Sequence, residues 1–263
     1  MWISSYVCLF IVYSFLGWIY ESIFCTIKTG KWQERGFLYG PICPIYGVGA
    51  ILIYDIFRYS GIQSYADVKV IGPVYLDMVL VFIIAVIGSA IMEYVTATVL
   101  ENVFHAVWWD YSRLPFNIKG RISLFSSLGF GVAGILVVNY IAPWVEHIVM
   151  KLSPIWMEGL SLVCVAVFFV DFTLTVSALA NLERIAKRVE KGFNARMENL
   201  VESAIETTHS AKERLSFEEL SLEEMKGRLS KFQKMAVRRA RSFRYKGNRK
   251  ERILDFIAEV IKR

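Results

Sequence analysis

Five acidic side chains stand in or beside long apolar runs of this chain: Glu21, Glu93, Glu101, Asp110 and Asp171. A carboxylate inside hydrocarbon costs at least about 2.5 kcal/mol on insertion scales, so each is expected to face a cavity or a partner, or to be protonated. Ser14, Trp18, Glu21 and Cys25 follow one another at intervals of three or four, which places them on one helix face. Glu93, Ala97 and Glu101 are likewise four apart, and the small Ala97 leaves room between the two acids. No Lys or Arg lies deep in the apolar runs, so the available counter-charges are loop bases such as Arg35, Lys119 and Arg121. For Glu21 and Glu101 the plainer reading is an interfacial acid in water. For the deeper Glu93 and Asp171 it is a structural hydrogen bond between helices.

Two segments are too irregular to be plain connectors. Residues 35–47, RGFLYGPICPIYG, join Arg35 to glycines and prolines that permit an unusual backbone. Residues 107–124, VWWDYSRLPFNIKGRISL, interleave aromatics with Asp110, Asn117, Lys119 and Arg121, and could lie flat at an interface to close a hollow lined by the acids. Arg35, Asn117 and Arg121 would then be its polar gate. Acids favour a cationic ligand or proton coupling; the basic loops could equally receive an anionic headgroup.

The elements that must position these groups are membrane helices. Five stretches approach the roughly 20 apolar residues needed to cross about 30 Å of hydrocarbon: Trp2 to Ile27, Gly36 to Phe57, Val74 to Phe104, Ile122 to Met150 and Ile155 to Asn181. The second is interrupted by Gly40, Pro41, Pro44 and Gly47, and is expected to be broken or re-entrant. A mean hydropathy of +0.43 with 55% hydrophobic residues excludes an ordinary soluble domain. The expected fold is therefore all-α, a polytopic helical membrane protein of about five spans. Trp2, Tyr59, Trp108, Trp109, Trp144 and Trp156 suit an interfacial belt.

Charge divides the chain. Residues 1–180 hold 9 Lys/Arg and 11 Asp/Glu, whereas 181–263 hold 21 and 13. We read residues 1–181 as a transmembrane domain with an inward-facing polar cavity and 182–263 as a charged, amphipathic helical tail. Leu182, Ile185, Val189, Phe193, Met197 and Val201 recur at helical spacing, as a helix running straight out of the last span. A second tail helix is expected over 216–237, opened by a capping box at Ser216 and Glu219. Arg238, Arg239, Arg241, Arg244, Lys246, Arg249 and Lys250 then form a basic patch, and a short apolar-faced helix carries Ile253 to Ile261. The patch suits anionic lipid first, an acidic protein partner second and nucleic acid a distant third. Basic residues place the tail in the cytoplasm, with the amino terminus outside. Lys28, Lys31, Arg35, Arg113, Lys119 and Arg121 fall inside; Arg58, Lys69 and Lys151 fall outside.

Much of residues 10–130 resembles one family. FLGWIYE at 15–21, RGFLYGPICPIYGVGA at 35–50, MEY at 92–94 with LE at 100–101, and WWDYSRLPFNIKGRISL at 108–124 are similar to the type IV ABC-transporter permease family, the CmpB-like multipass proteins of bacterial membranes. The resemblance implies a permease-like subunit in a bacterial cell membrane. The chain has no G-x-x-x-x-G-K-[ST] loop, so the ATPase of such a system would be a separate polypeptide. No cofactor is implied. No metal site is expected either, because His105, His147 and His209 are scattered and the cysteines are unpaired in spacing.

Three functional classes follow. The first is a permease-like transport component that handles a small molecule or lipid in an acidic cavity. The second is an intramembrane enzyme acting on a lipid or isoprenoid, its carboxyls serving as acid and base. The third is a membrane-anchored scaffold or sensor, alone or as a homo-oligomer. Under the first two, Glu93→Gln and Asp171→Asn are expected to remove function while leaving folding intact.

Overall fold

A computed structural model describes residues 2–30, 32, 35–204, 230–239 and 242–243, and only the backbone at 28–29, 182–204, 232, 236–238 and 242–243. Helix α1 is Trp2–Thr29 and α2 is Pro44–Tyr59. A short hairpin, β1 (Lys69–Ile71) with β2 (Val74–Tyr75), precedes α3 (Leu76–Phe104). Strand β3 is Ala106–Val107, and β4 (Asn117–Ile118) pairs antiparallel with β5 (Ile122–Ser123). Then come α4 (Leu124–Leu136), a π-helical turn (Val137–Ile141), α5 (Ala142–Val149), α6 (Pro154–Ala204), α7 (Lys231–Arg239) and β6 (Ser242–Phe243).

Among the described residues four stretches are long and apolar enough to cross a bilayer: Trp2–Ile27, Leu76–Phe104, Leu124–Val149 and Pro154–Asn181. The chain is a multi-pass helical membrane protein. Along α3, Ile83, Ile87, Ile91, Val95 and Val99 recur every fourth residue and are all exposed, a stripe only lipid would leave uncovered. Trp2, Tyr59, Trp144 and Trp156 are exposed as an interfacial belt requires, whereas Trp108 is buried and Trp109 donates Nε1 to the Arg121 carbonyl at 2.8 Å.

The second expected span begins late. Residues 36–41 form bends, with Gly36 at φ 112°, and Cys43 is extended, because Pro41 and Pro44 lack the N–H a helix needs. What remains, α2, is 16 residues, or about 24 Å, short of the roughly 30 Å core. The fourth span is one helical run with a wide turn in it. Pro143 cannot donate to the Asn139 carbonyl, and the ladder opens into the π turn immediately before it.

Helix α6 runs unbroken for 51 residues from Pro154 to Ala204, about 76 Å, so the last span does continue directly into the charged sequence. A capping box stands at Ser230 and Gln233: the Ser230 N–H donates to Gln233 Oε1 at 2.9 Å and the Gln233 N–H to Ser230 Oγ at 3.2 Å, opening α7. The box expected at Ser216 and Glu219, and the final helix over 253–261, lie outside the described residues.

The chain divides into two compact units, Met1–Val99 with Trp109–Phe172, and Leu100–Trp108 with Thr173–Arg263. The expected boundary at Asn181 falls inside α6. In the first unit α1 and α2 run antiparallel at very close range. A Cβ on Gly47 would collide with Ser14 Oγ and stand 2.7 Å from the Phe10 carbonyl, and one on Gly17 would collide with the Tyr46 side chain. Such small-residue contacts supply the packing that lipid, as apolar as the side chains, does not drive. Two apolar clusters fill this unit, one around Cys8, Tyr13, Ala142 and Val145, the other around Ile53, Val81 and Val138. In the second unit, β6 pairs antiparallel with β3, Ala106 opposite Phe243 and Val107 opposite Ser242.

Candidate functional site

The first unit gathers carboxyls and tyrosines where α1 ends, α2 begins and α3 meets the loop that follows it. Tyr46, on the first turns of α2, donates its hydroxyl to Glu21 Oε2 at 2.5 Å. Its ring packs against Tyr20 and Phe130, which fixes the direction of the hydroxyl. Glu93 is 5% exposed on α3. Tyr111 donates to its Oε1 at 2.9 Å, and Ser126, on α4, lies 3.1 Å from Oε2. Ser126 also lies 3.1 Å from the Ser123 carbonyl, so its single proton has two acceptors.

Tyr111 is the phenol bonded to Glu93. Burial above all, and then the charge and hydrogen bond of Glu93 and the charge of Glu21, hold its phenol well above the ordinary tyrosine value. It therefore remains a donor across the physiological range. Two carboxyls held only by hydroxyls, with no base bonded to Glu93 among the described residues, can take up a cation or relay a proton.

Four buried polar atoms of α1 lack a hydrogen-bond partner among the described residues: the Tyr13 hydroxyl, Ser14 Oγ, Trp18 Nε1 and Ser22 Oγ. Buried polar groups are normally satisfied, so this helix presents unspent polar capacity on the stretch that ends at Glu21.

The loop after α3 is a scaffold for Tyr111. Asp110 Oδ1 accepts from the Ser112 N–H at 2.9 Å, and the Tyr111 N–H donates to the Gly120 carbonyl at 2.8 Å. Gly120 has φ 70°, and a Cβ there would stand 2.7 Å from Asp110 Oδ1, so glycine is required twice over. Asn117 donates to the carbonyls of Ser112 and Leu114 and accepts from the Gly120 N–H. Arg121 donates to Thr98 Oγ1 at 2.9 Å and lies 5.2 Å from the Tyr94 ring centroid. Asp110 and Asn117 thus shape the loop, and Arg121 fastens it to α3. Arg35 donates Nε to Cys25 Sγ at 3.2 Å, beside α1.

Asp171 has different partners from this cluster. Its Oδ1 accepts from the Tyr39 N–H at 2.9 Å and its Oδ2 from the Gly40 N–H at 2.8 Å, so α6 clasps the bent segment ahead of α2 by its backbone. Both partners are fixed N–H donors. An asparagine would turn its own NH2 toward one of them, leaving that donor unpaired. Asp171→Asn is therefore expected to destabilise the protein by about 1–3 kcal/mol, against the intact folding expected from sequence. Thermal unfolding in detergent measures it; an unchanged midpoint would contradict the clasp.

Other expected site residues are not gathered here. Glu101 belongs to the second unit, where its carbonyl accepts from the His105 N–H at 3.0 Å. In the basic patch Arg239 is buried, Arg238 is placed on α7 by its backbone, and Arg241, Arg244, Lys246, Arg249 and Lys250 lie outside the described residues. Among the described residues no group of three or more His, Cys, Asp or Glu side chains is placed to hold a metal ion.

Sequence reasoning missed Tyr46, Tyr111 and Ser126. Both tyrosines lie inside the quoted motif segments, and the usable signal was that a carboxyl in hydrocarbon needs donors while no Lys or Arg lies deep in the apolar runs.

A helical multi-pass membrane protein with an acid–tyrosine cluster between its spans is what the fold and the site define. Residues 8–176 match the family described as "Putative ABC-transporter type IV", and the chain belongs to that family. The matched region contains Glu21, Tyr46, Glu93, Tyr111, Ser126 and Asp171. No curated protein and no solved structure matches the chain.

Proposed function

We propose that this chain is the permease-like membrane component of an ABC-type transport system whose ATPase is a separate polypeptide, and that it handles its ligand at Glu21 and Glu93. The observation that carries the reading is Glu93, buried and held by Tyr111 and Ser126, with no base bonded to it among the described residues. The unpartnered Ser14, Trp18 and Ser22 atoms on α1 support it. A carboxyl kept this way at the cost of desolvation is retained for a cation or a proton rather than for packing. Tyr46 and Tyr111 orient the acids, and the loop of residues 105–123 holds Tyr111 over Glu93.

Affinity capture of the tagged chain from its native membrane tests the assembly. An ATP-hydrolysing protein carrying a phosphate-binding G-x-x-x-x-G-K-[ST] loop is expected in near-equal amount. Capture of the chain without any ATPase would remove the ABC-type reading.

The proposal includes an orientation: a bacterial cell membrane, amino terminus outside, tail inside, with the bent segment ahead of α2 and α2 together completing a fifth crossing. Ser112 and Ser64 are exposed and lie in loops on opposite sides of this scheme. With the native cysteines replaced, Ser112→Cys is expected to react with an impermeant thiol reagent only from the cytoplasmic side, and Ser64→Cys only from outside. The reverse pattern would invert the cavity. Cys43 is buried and unsuited to the test.

A further inference from the structure

The loop between α3 and α4 ends in an apolar tip turned away from the fold. Leu114, Pro115, Phe116 and Ile118 are all exposed, Phe116 to 76%, and the exposed bases Arg113 and Lys119 flank them.

The backbone imposes this exposure. Phe116 and Lys119 both have φ 53°, a left-handed conformation uncommon outside glycine and an outlier for a bulky ring, which persists only where the surroundings enforce it. The Leu124 N–H donates to the Phe116 carbonyl at 3.2 Å and the Arg121 N–H to the Ile118 carbonyl at 3.0 Å. Asn117 closes the loop on itself through the Ser112 and Leu114 carbonyls and the Gly120 N–H. Ile118 also stands opposite Ile122 in the β4–β5 pair. Strain that holds a phenylalanine out of the fold gains nothing inside it, so its return comes from a contact outside.

The bond from Leu124 to Phe116 also sets what that contact is. Leu124 opens Leu124–Val149, a run long and apolar enough to cross the bilayer. Phe116 therefore stands at the level where the chain enters hydrocarbon, the level of the exposed Leu124 and Phe125 side chains. There an aromatic ring and two aliphatic side chains suit the acyl boundary, and long basic side chains suit the headgroup layer. Between residues 113 and 119 stand two bases and no acid, which favours negative headgroups. A stable protein interface takes roughly 20–30 residues a side, far more than this tip offers.

We infer that residues 113–119 anchor this loop in an anionic phospholipid leaflet, with Leu114, Phe116 and Ile118 at the acyl boundary and Arg113 and Lys119 on headgroup phosphates. The Leu114 N–H donates to the Tyr111 carbonyl at 2.8 Å, so what seats the tip also seats the backbone that carries Tyr111. The anchor does not rest on the transport reading, because its readout is depth in the bilayer.

The test is spin labelling of the full chain, its native cysteines replaced, in nanodiscs of phosphatidylcholine alone or with phosphatidylglycerol. Both faces of a nanodisc are open, so the result does not depend on orientation in the cell. Nitroxides at Phe116→Cys, Ile118→Cys and, as the water-facing reference, Ser112→Cys are compared for collision with oxygen, which concentrates in hydrocarbon, and with a neutral nickel chelate, which stays in water. With phosphatidylglycerol present, labels at 116 and 118 are expected to meet the chelate several-fold less, and oxygen more, than the label at 112. Arg113→Gln combined with Lys119→Gln is expected to lower the anchored-to-free ratio about fivefold for each base removed, and omission of phosphatidylglycerol to act in the same direction. All these side chains are exposed, and the loop is closed by Asn117 and backbone bonds that the substitutions leave in place. Chelate access at 116 and 118 equal to that at 112 would overturn the anchor. Depth indifferent to both bases and to phosphatidylglycerol would overturn its anionic-lipid character, and shielding seen only with a captured ATPase present would overturn it in favour of a protein partner.

Discussion

Leucine at position 47 is expected to abolish the native packing of this protein. At Gly47 even a single Cβ would meet Ser14 Oγ and, at 2.7 Å, the Phe10 carbonyl. The Phe10 carbonyl is helix backbone and cannot rotate away, so α1 and α2 would have to separate. Overpacking ordinarily costs about 1–3 kcal/mol, and separation would in addition strip Tyr46 from Glu21 and unseat the Cys43 N–H from the Ser14 carbonyl, a 3.0 Å hydrogen bond. The measurement is the yield of monodisperse protein after detergent extraction. Gly88→Ala is the control, because a Cβ there meets nothing within 4 Å and alanine gains about 0.8–1 kcal/mol of helix propensity over glycine. Equal yields from Gly47→Leu and Gly88→Ala would show that the close crossing does not exist.

The second large effect is functional. Glu93→Gln is expected to leave the fold intact and eliminate activity. Its amide oxygen still accepts from Tyr111, and its NH2 can donate to Ser126 Oγ, because Ser126 has the Ser123 carbonyl as a second home for its proton. Glu93→Ala, by contrast, strands the Tyr111 hydroxyl and is expected to cost about 1–3 kcal/mol of stability as well. Glu93 and Asp171 thus part company. The first has hydroxyl partners that adapt to an amide; the second has two rigid backbone donors that do not.

That contrast shows where the sequence was legible. The four full spans follow from apolar length alone, since hydrocarbon thickness admits few solutions. The irregularity of residues 36–43 was legible in its glycines and prolines. The proximity of Glu21 and Glu93 to one loop followed from their place at the ends of spans joined by motif segments. Partner identity did not follow. Asp171 bonds backbone N–H groups 131 and 132 residues away, and backbone donors leave no trace in residue type. The Tyr46–Glu21 and Tyr111–Glu93 bonds depend on which way two hydroxyls turn once helices pack. The Tyr6–Asp55 and Tyr54–Glu146 bonds were missed for a related reason: their residues come from three helices and have no shared spacing in the chain. The pairing of β6 with β3 joins two-residue strands, too short to carry an alternation of apolar and polar residues.

The close crossing of α1 and α2 also ties the fold to the site. Gly17 and Gly47 let Tyr46 reach Glu21, and Asp171 holds the bend that lets α2 begin at Pro44. A change in the helix crossing would move Glu21 and its tyrosine together, the coupling that the transport role we propose requires between a partner's cycle and the ligand.

The most direct test compares ATP hydrolysis by the captured complex in lipid nanodiscs with wild-type chain and with Glu93→Gln at matched protein yield. Loss of a charged contact in the ligand site predicts a rate lower by about tenfold or more, with the thermal midpoint unchanged. Equal hydrolysis rates in the two complexes would contradict the assignment of Glu93 to ligand handling.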